Sequence, residues 1–195
     1  MILTNEFLVA LPKDAAMQVL TDVPLIAPCL PGVSVTEAEA DTKYAGEATV
    51  RLGPVKLTFS GRAEITEIDH TAHTASVRAN GADKKGRGGA EATVTFQLKD
   101  DDAGGEDAPA TRVLVRTDLA LNGSIAQYGR ASGLIEGVAQ ELTKEFAANL
   151  ATVLTAEDGS AFDAGEISGL KLLVKAGIGR LKFGGDKAKN ETGAV

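Results

Sequence analysis

Residues 124–154 carry the strongest constraint on the fold. Ile125, Tyr128, Ser132, Ile135, Ala139, Leu142, Phe146, Asn149 and Val153 recur at alternating steps of three and four. That spacing puts them on one stripe of a single long helix, with Ser124 standing where an N-cap is expected. A helix with one apolar stripe needs a surface to lie on, and the text before it supplies one. Segments 33–40, 43–52, 55–68, 74–79, 90–98 and 111–121 are rich in strand-forming residues and separated by turn clusters. Alternation is plain in residues 92–98, where Val94, Phe96 and Leu98 share a face. Residues 2–11 read as a further strand. Two short helices follow it, over 15–20 and 23–27, closed by Pro28, Pro31 and Gly32.

The order is therefore strand, two short helices, six strands, long helix. Each element has one apolar face to bury, so the expected fold is α+β: a seven-stranded antiparallel sheet wrapped around a long C-terminal helix. The first half of that helix is crowded with small residues, among them Ala126, Gly129, Gly133 and Gly137. Glycine costs about 1 kcal/mol per helix-interior position relative to alanine. Two explanations stand side by side: close packing on the sheet, or missing volume that leaves a cavity.

Charge divides the chain. Its formal net charge is −7, yet residues 167–195 hold six basic and two acidic side chains. The remainder is net −11, which disfavours a phosphate backbone as partner and argues against nucleic acid. Aromatics are 4% and tryptophan is missing, so stacking platforms are not expected. Cys29 is the single cysteine, which excludes an internal disulfide and a cysteine-rich metal site. Residues 1–7 do not read as a signal peptide, and no apolar run approaches the roughly 20 residues of a membrane span.

Candidate chemistry is sparse. His70 and His73 lie in one turn and lack a third ligand. Cys29 has no histidine nearby in sequence to activate it and reads as core or cavity wall. Arg62, Glu64 and Glu67 read as a charged outer sheet face. Gly86, Gly88 and Gly89 precede a strand, not a helix, so they read as a turn or bulge and not a phosphate cradle. Residues 100–110 read as a solvated acidic loop. Tyr128 is the polar-tipped aromatic on the buried stripe; its hydroxyl is expected to bond either to backbone or to a ligand carbonyl.

The C-terminal region reads as a linker over 155–166 and a basic amphipathic tail over 167–195, after a domain of residues 1–154. Ile167, Leu170, Val174, Ile178 and Leu181 repeat at helical steps, while Lys171, Lys175 and Lys182 stand off that stripe. The segment is expected to lie in the membrane surface as a helix roughly 25 Å long, the alternatives being a helix docked on a partner protein and a disordered tail. Half-inserted aliphatics contribute roughly 1 kcal/mol each, and each cation near anionic lipid about as much.

Residues 28–32 (Pro-Cys-Leu-Pro-Gly), 53–61 (Gly-Pro-Val-Lys-Leu-Thr-Phe-Ser-Gly), 81–90 and 123–129 (Gly-Ser-Ile-Ala-Gln-Tyr-Gly) together resemble the CoxG family of carbon monoxide dehydrogenase subunits, within the helix-grip superfamily of START-like domains. The resemblance spans about residues 2–154. It implies a helix-grip fold with an apolar ligand cavity between sheet and long helix, while the residues themselves read as offering no catalytic constellation. It further implies a partner, a molybdenum–copper CO dehydrogenase brought to the inner face of the cytoplasmic membrane, and a quinone, menaquinone first, as the bound ligand. With periodicity added, the expected ligand-binding residues are Leu25, Ile26, Leu30, Leu57, Phe59, Tyr128, Ile135 and Leu142. The rivals are a ligand-free adaptor with a filled core, and a general lipophile binder or cyclase of the same superfamily.

Overall fold

A computed structural model describes residues 1–101, 109–129 and 132–156. Strand β1 (Ile2–Val9) is followed by helices α1 (Lys13–Thr21) and α2 (Val23–Ile26) and a 3-10 turn (Ala27–Cys29). Strands β2 (Val33–Ala40), β3 (Lys43–Leu52), β4 (Val55–Asp69), β5 (Thr74–Asp83), β6 (Gly89–Asp101) and β7 (Ala110–Leu121) come next. A second 3-10 turn (Gly123–Ile125), α3 (Ala126–Gly129) and α4 (Ser132–Thr155) follow. The strands form one sheet in the order β1-β7-β6-β5-β4-β3-β2, every neighbouring pair antiparallel. Helix α4 packs on its inner face, against β1, β3 and the 27–29 turn. This is the helix-grip architecture.

Local chemistry explains the joints. Asp22 caps α2 by accepting from the Leu25 amide at 3.2 Å, and Pro24 occupies its first turn, where a missing N–H costs nothing. The 53–54 turn joins β3 to β4 as Gly and Pro require. On the outer face Arg62 pairs with Glu39 at 2.6 Å and Lys43 with Glu64 at 3.2 Å.

Three expectations change. The long helix does not start at Ser124. Gly123 adopts a left-handed φ of +65°, and the Ser124 amide and hydroxyl both donate to the Arg87 carbonyl, at 2.8 and 2.9 Å. That stretch is tied to the β5–β6 turn, so Ser124 caps no helix. Strand β5 runs on to Asp83 and β6 begins at Gly89, because glycines that read as turn signals are strand residues. Gly46, Gly61, Gly81 and Ala90 pair in one row across four strands. A Cβ on Gly61 would stand 1.9 Å from the Asn80 carbonyl oxygen, so the row admits no side chain there. Finally, Asp100 and Asp101 belong to β6 and not to a solvated loop. The Asp101 side chain is 7% exposed and accepts from the Arg112 guanidinium. Residues 102–108 of that expected loop lie outside the described residues, as do residues 157–195 with most of the linker and all of the tail.

Two other readings are refined. His70 is exposed, but the His73 ring is largely covered and sits 2.7 Å from the Asp14 carboxylate, joining the β4–β5 turn to α1. Cys29 is fully buried.

Candidate ligand cavity

Alternation along the strands decides what faces α4. Leu3, Thr117, Val94, Val77 and Ile65 pair in one inward row, and Asn5, Val115, Phe96 and Ala75 in the next. From the helix side come Ala139, Leu142, Thr143 and Phe146, and from the end of α2 and the stretch after it come Ile26, Ala27, Leu30 and Pro31. These surfaces meet at Phe7 and Phe146 and stand apart elsewhere. They bound a partly open cavity of about 490 Å³, lined almost wholly by aliphatic and aromatic side chains. That volume lies within the range of small-molecule sites, roughly 300–1,000 Å³.

The walls have separate supports. Phe7 of β1 meets Phe146 of α4 edge-to-face, with ring centroids 5.5 Å apart, a favoured aromatic geometry. Behind the turn, Cys29 is sealed away from the lining; its Sγ lies 3.8 Å from the Leu25 carbonyl oxygen. Burial pushes the Cys29 thiol up from its ordinary pKa, so it stays protonated. Asn149 reaches from α4 to the Cys29 carbonyl at 3.0 Å.

Of the residues expected at the site, Ile26, Leu30 and Leu142 line the cavity. Leu25 is buried but outside the lining. Leu57 and Ile135 are core members of a tight apolar cluster with Leu3, Leu52 and Ile125, and Phe59 and Tyr128 pack against it. Leu3, Val50 and Ala139 belong to both cluster and lining, so the cluster borders the cavity. Tyr128 is half-buried and outside the lining, within electrostatic reach of Arg87. The expected membrane-binding residues, Ile167, Leu170, Lys171, Val174, Lys175, Ile178, Leu181 and Lys182, lie outside the described residues.

Polar groups in the lining are few. Tyr44 donates its hydroxyl to the Asp41 carbonyl at 3.0 Å, and burial, helped by Asp22 and Asp41, raises its pKa. Thr143 donates back to Ala139 at 2.8 Å and Thr49 shares a bond with Thr58 at 3.1 Å, while Glu64 borders the lining with its carboxylate turned to the outer face, on Lys43. Asn5 and Thr117 complete the set. Sequence reasoning misses both, although a signal for them exists. In β1 the inward positions run Leu3, Asn5, Phe7, Val9, and in β7 they run Val113, Val115, Thr117, Leu119. A polar residue inside an apolar alternation marks an inward polar group. Among the described residues no lysine, arginine or histidine lines the cavity. Among those residues, too, no cluster of metal-ligating side chains occurs, and no helix is long and apolar enough to cross a membrane.

Several solved structures share this fold. A conserved protein of Geobacillus kaustophilus aligns with a TM-score of 0.63 at 16% identity, covering 78% of this chain and 96% of that one. A protein of Thermus thermophilus aligns with a TM-score of 0.53 at 16% identity, over 81% and 100%. The ZhuI aromatase/cyclase of a Streptomyces species aligns with a TM-score of 0.51 at 15% identity, over 77% and 91%. At such identities the likeness is one of fold. Among curated proteins no sequence matches. The family model for the G subunit of carbon monoxide dehydrogenase (CoxG) matches residues 6–155, from the second half of β1 through the end of α4. That span holds six whole strands and half of β1, both short helices and every cavity-lining residue except Leu3 and Asn5, and on it the chain belongs to the CoxG family of carbon monoxide dehydrogenase subunits.

Proposed function

We propose that this chain binds an isoprenoid quinone, menaquinone first, and recruits a molybdenum–copper CO dehydrogenase to the inner face of the cytoplasmic membrane, linking it to the quinone pool. The observation that carries the reading is the apolar cavity between sheet and α4, in a chain whose family is named for that dehydrogenase. A quinone ring with the first part of its tail suits such a volume. Each buried isoprene unit, five carbons, contributes about 4 kcal/mol gross at roughly 0.8 kcal/mol per carbon, before the costs of association. Affinity then comes from burial, and orientation from a few polar contacts. The chain itself has no catalytic role in this reading; it holds and positions the cargo.

An adaptor without ligand would be expected to fill its core, and a 490 Å³ cavity argues against that version. A cyclase needs ionisable groups converging on the substrate. Here the ionisable lining groups are Glu64, already paired with Lys43, and Tyr44, already bonded to Asp41.

The test is extraction of native full-length protein into organic solvent, with the extract analysed by mass spectrometry. Protein made in a quinone-producing host is expected to release an isoprenoid quinone near one per chain. An extract that contains phospholipid or fatty acid but no quinone overturns the reading.

A further inference from the structure

We infer that Asn5 and Thr117 form the polar recognition point of the cavity, and that they select a neutral lipophile bearing a carbonyl oxygen. This rests on the lipophile-binding reading above and names the chemistry that the site prefers. Both residues line the cavity. In the β1–β7 register Asn5 pairs with Val115 and Leu3 with Thr117, so Asn5 and Thr117 are diagonal neighbours on the inner face. Such neighbours stand about 7 Å apart, within reach of one ligand atom between them.

Their hydrogen-bonding capacity is what separates them from the other polar lining groups. The hydroxyls of Tyr44, Thr49 and Thr143 and the carboxylate of Glu64 are engaged within the protein. Among the described residues the Asn5 amide and the Thr117 hydroxyl have no partner in the protein. Two donors, one amide N–H and one hydroxyl, then face an otherwise apolar space. A carbonyl oxygen is an acceptor with two lone pairs and satisfies both.

The surroundings set the rest of the selectivity. Phe96 shares the inward row of Asn5, and Phe7 is the next inward residue on β1. Aromatic walls beside the donors suit a planar ring. With no cation among the described lining residues, a carboxylate would enter the cavity unpaired, and that desolvation is prohibitive. Fatty acids are therefore discriminated against. A plain hydrocarbon would leave both donors facing nothing, which also costs affinity.

The test uses delipidated full-length protein in equilibrium dialysis with three probes: a 1,4-naphthoquinone bearing one prenyl unit, the matching prenylated naphthalene, and oleate. The wild type is expected to bind the naphthoquinone most tightly and oleate least. Asn5→Leu and Thr117→Val are each expected to raise the naphthoquinone Kd about three- to tenfold, with the naphthalene Kd unchanged or lower. Thr117→Ser, which keeps the hydroxyl, is expected to bind the naphthoquinone as the wild type does. Equal losses for naphthoquinone and naphthalene would mean a structural defect and overturn the assignment. So would an unchanged naphthoquinone Kd in both variants, or oleate binding as tightly as the naphthoquinone. A wild type that takes up none of the probes overturns the lipophile reading and this inference with it. Tight naphthoquinone binding that ignores both substitutions overturns the inference alone.

Discussion

The side-chain amide of Asn149, in the C-terminal half of α4, donates to the backbone carbonyl of Cys29 at 3.0 Å. The acceptor lies at the end of the 27–29 turn, where carbonyls have no partner inside the turn. Ile26 and Leu30 flank that turn and both line the cavity. One hydrogen bond therefore fixes the distance between the helix and the opposite wall of the site.

Asn149→Ala is expected to destabilise the domain by about 1–2 kcal/mol, the net worth of a partly buried hydrogen bond plus an orphaned carbonyl. Asn149→Asp is expected to cost more at neutral pH, since a carboxylate can only accept and would face the Cys29 oxygen. Urea unfolding of the three proteins checks the order. Equal stability of all three would show the bond to be idle.

Filling the cavity separates a binding site from a packing defect. Val115 faces inward and lines it. Val115→Phe is expected to leave the unfolding midpoint level or raised while lowering the amount of co-purified lipophile. In a closed core the same enlargement costs about 1–3 kcal/mol. Thermal unfolding and extract analysis of the same preparation give both numbers.

The two apolar zones are expected to respond differently to truncation. Leu57 is 2% exposed and packed within the cluster beside the cavity. Leu57→Ala is expected to cost about 2–5 kcal/mol. Leu142→Ala, on the cavity wall, is expected to cost less and to weaken lipophile retention instead. Chemical denaturation paired with ligand retention distinguishes the two patterns.

Acid sensitivity follows from the β5–β6 turn. The Asp83 side chain is fully covered and accepts from Arg87 Nε at 2.8 Å and Nη2 at 2.7 Å, with further bonds from the Lys85 and Arg87 amides. The Arg87 guanidinium holds the Asp83 carboxyl far below the usual carboxylate range. The folded pKa is lower than the unfolded one, so this pair stabilises the fold fully above the ordinary Asp value. The contribution is lost as pH falls from about 5 toward the folded pKa. Asp83→Asn is expected to flatten stability against pH in that acid window and to lower it at neutral pH. Urea midpoints between neutral pH and the acid limit test the sign.

For the tail, removal of residues 167–195 is expected to abolish co-sedimentation with vesicles containing anionic lipid. Raised salt is expected to weaken binding of the full chain, because part of the attraction is charge. Undiminished sedimentation of the truncated chain would rule out the tail as anchor.

The architecture is legible in the sequence because each element keeps one periodicity: period two through the strands and 3.6 through the Ile135–Phe146–Val153 stripe. The β5–β6 region is not, because glycine has the same letter whether it makes a turn or lets strands approach closely, as at Gly61 and Gly81. The site is half legible. Ile26, Leu30 and Leu142 line the cavity, whereas Leu57, Ile135 and Tyr128 share its periodicity but sit in the adjoining cluster. Periodicity reports which face a residue occupies and not how far along the helix the packing closes. Asn5 and Thr117 escape notice because a polar residue in a strand reads as outward by default.

If the cargo is a quinone, as proposed above, the sealing of Cys29 has a chemical meaning. Quinone rings with an unsubstituted position are electrophiles to which thiolates and free amines add. The single sulfhydryl of this chain is kept protonated and out of the lining, and no lysine among the described residues faces the cavity. For such a cargo the lining would be inert glassware, offering no thiolate and no amine among the described residues for the ring to alkylate.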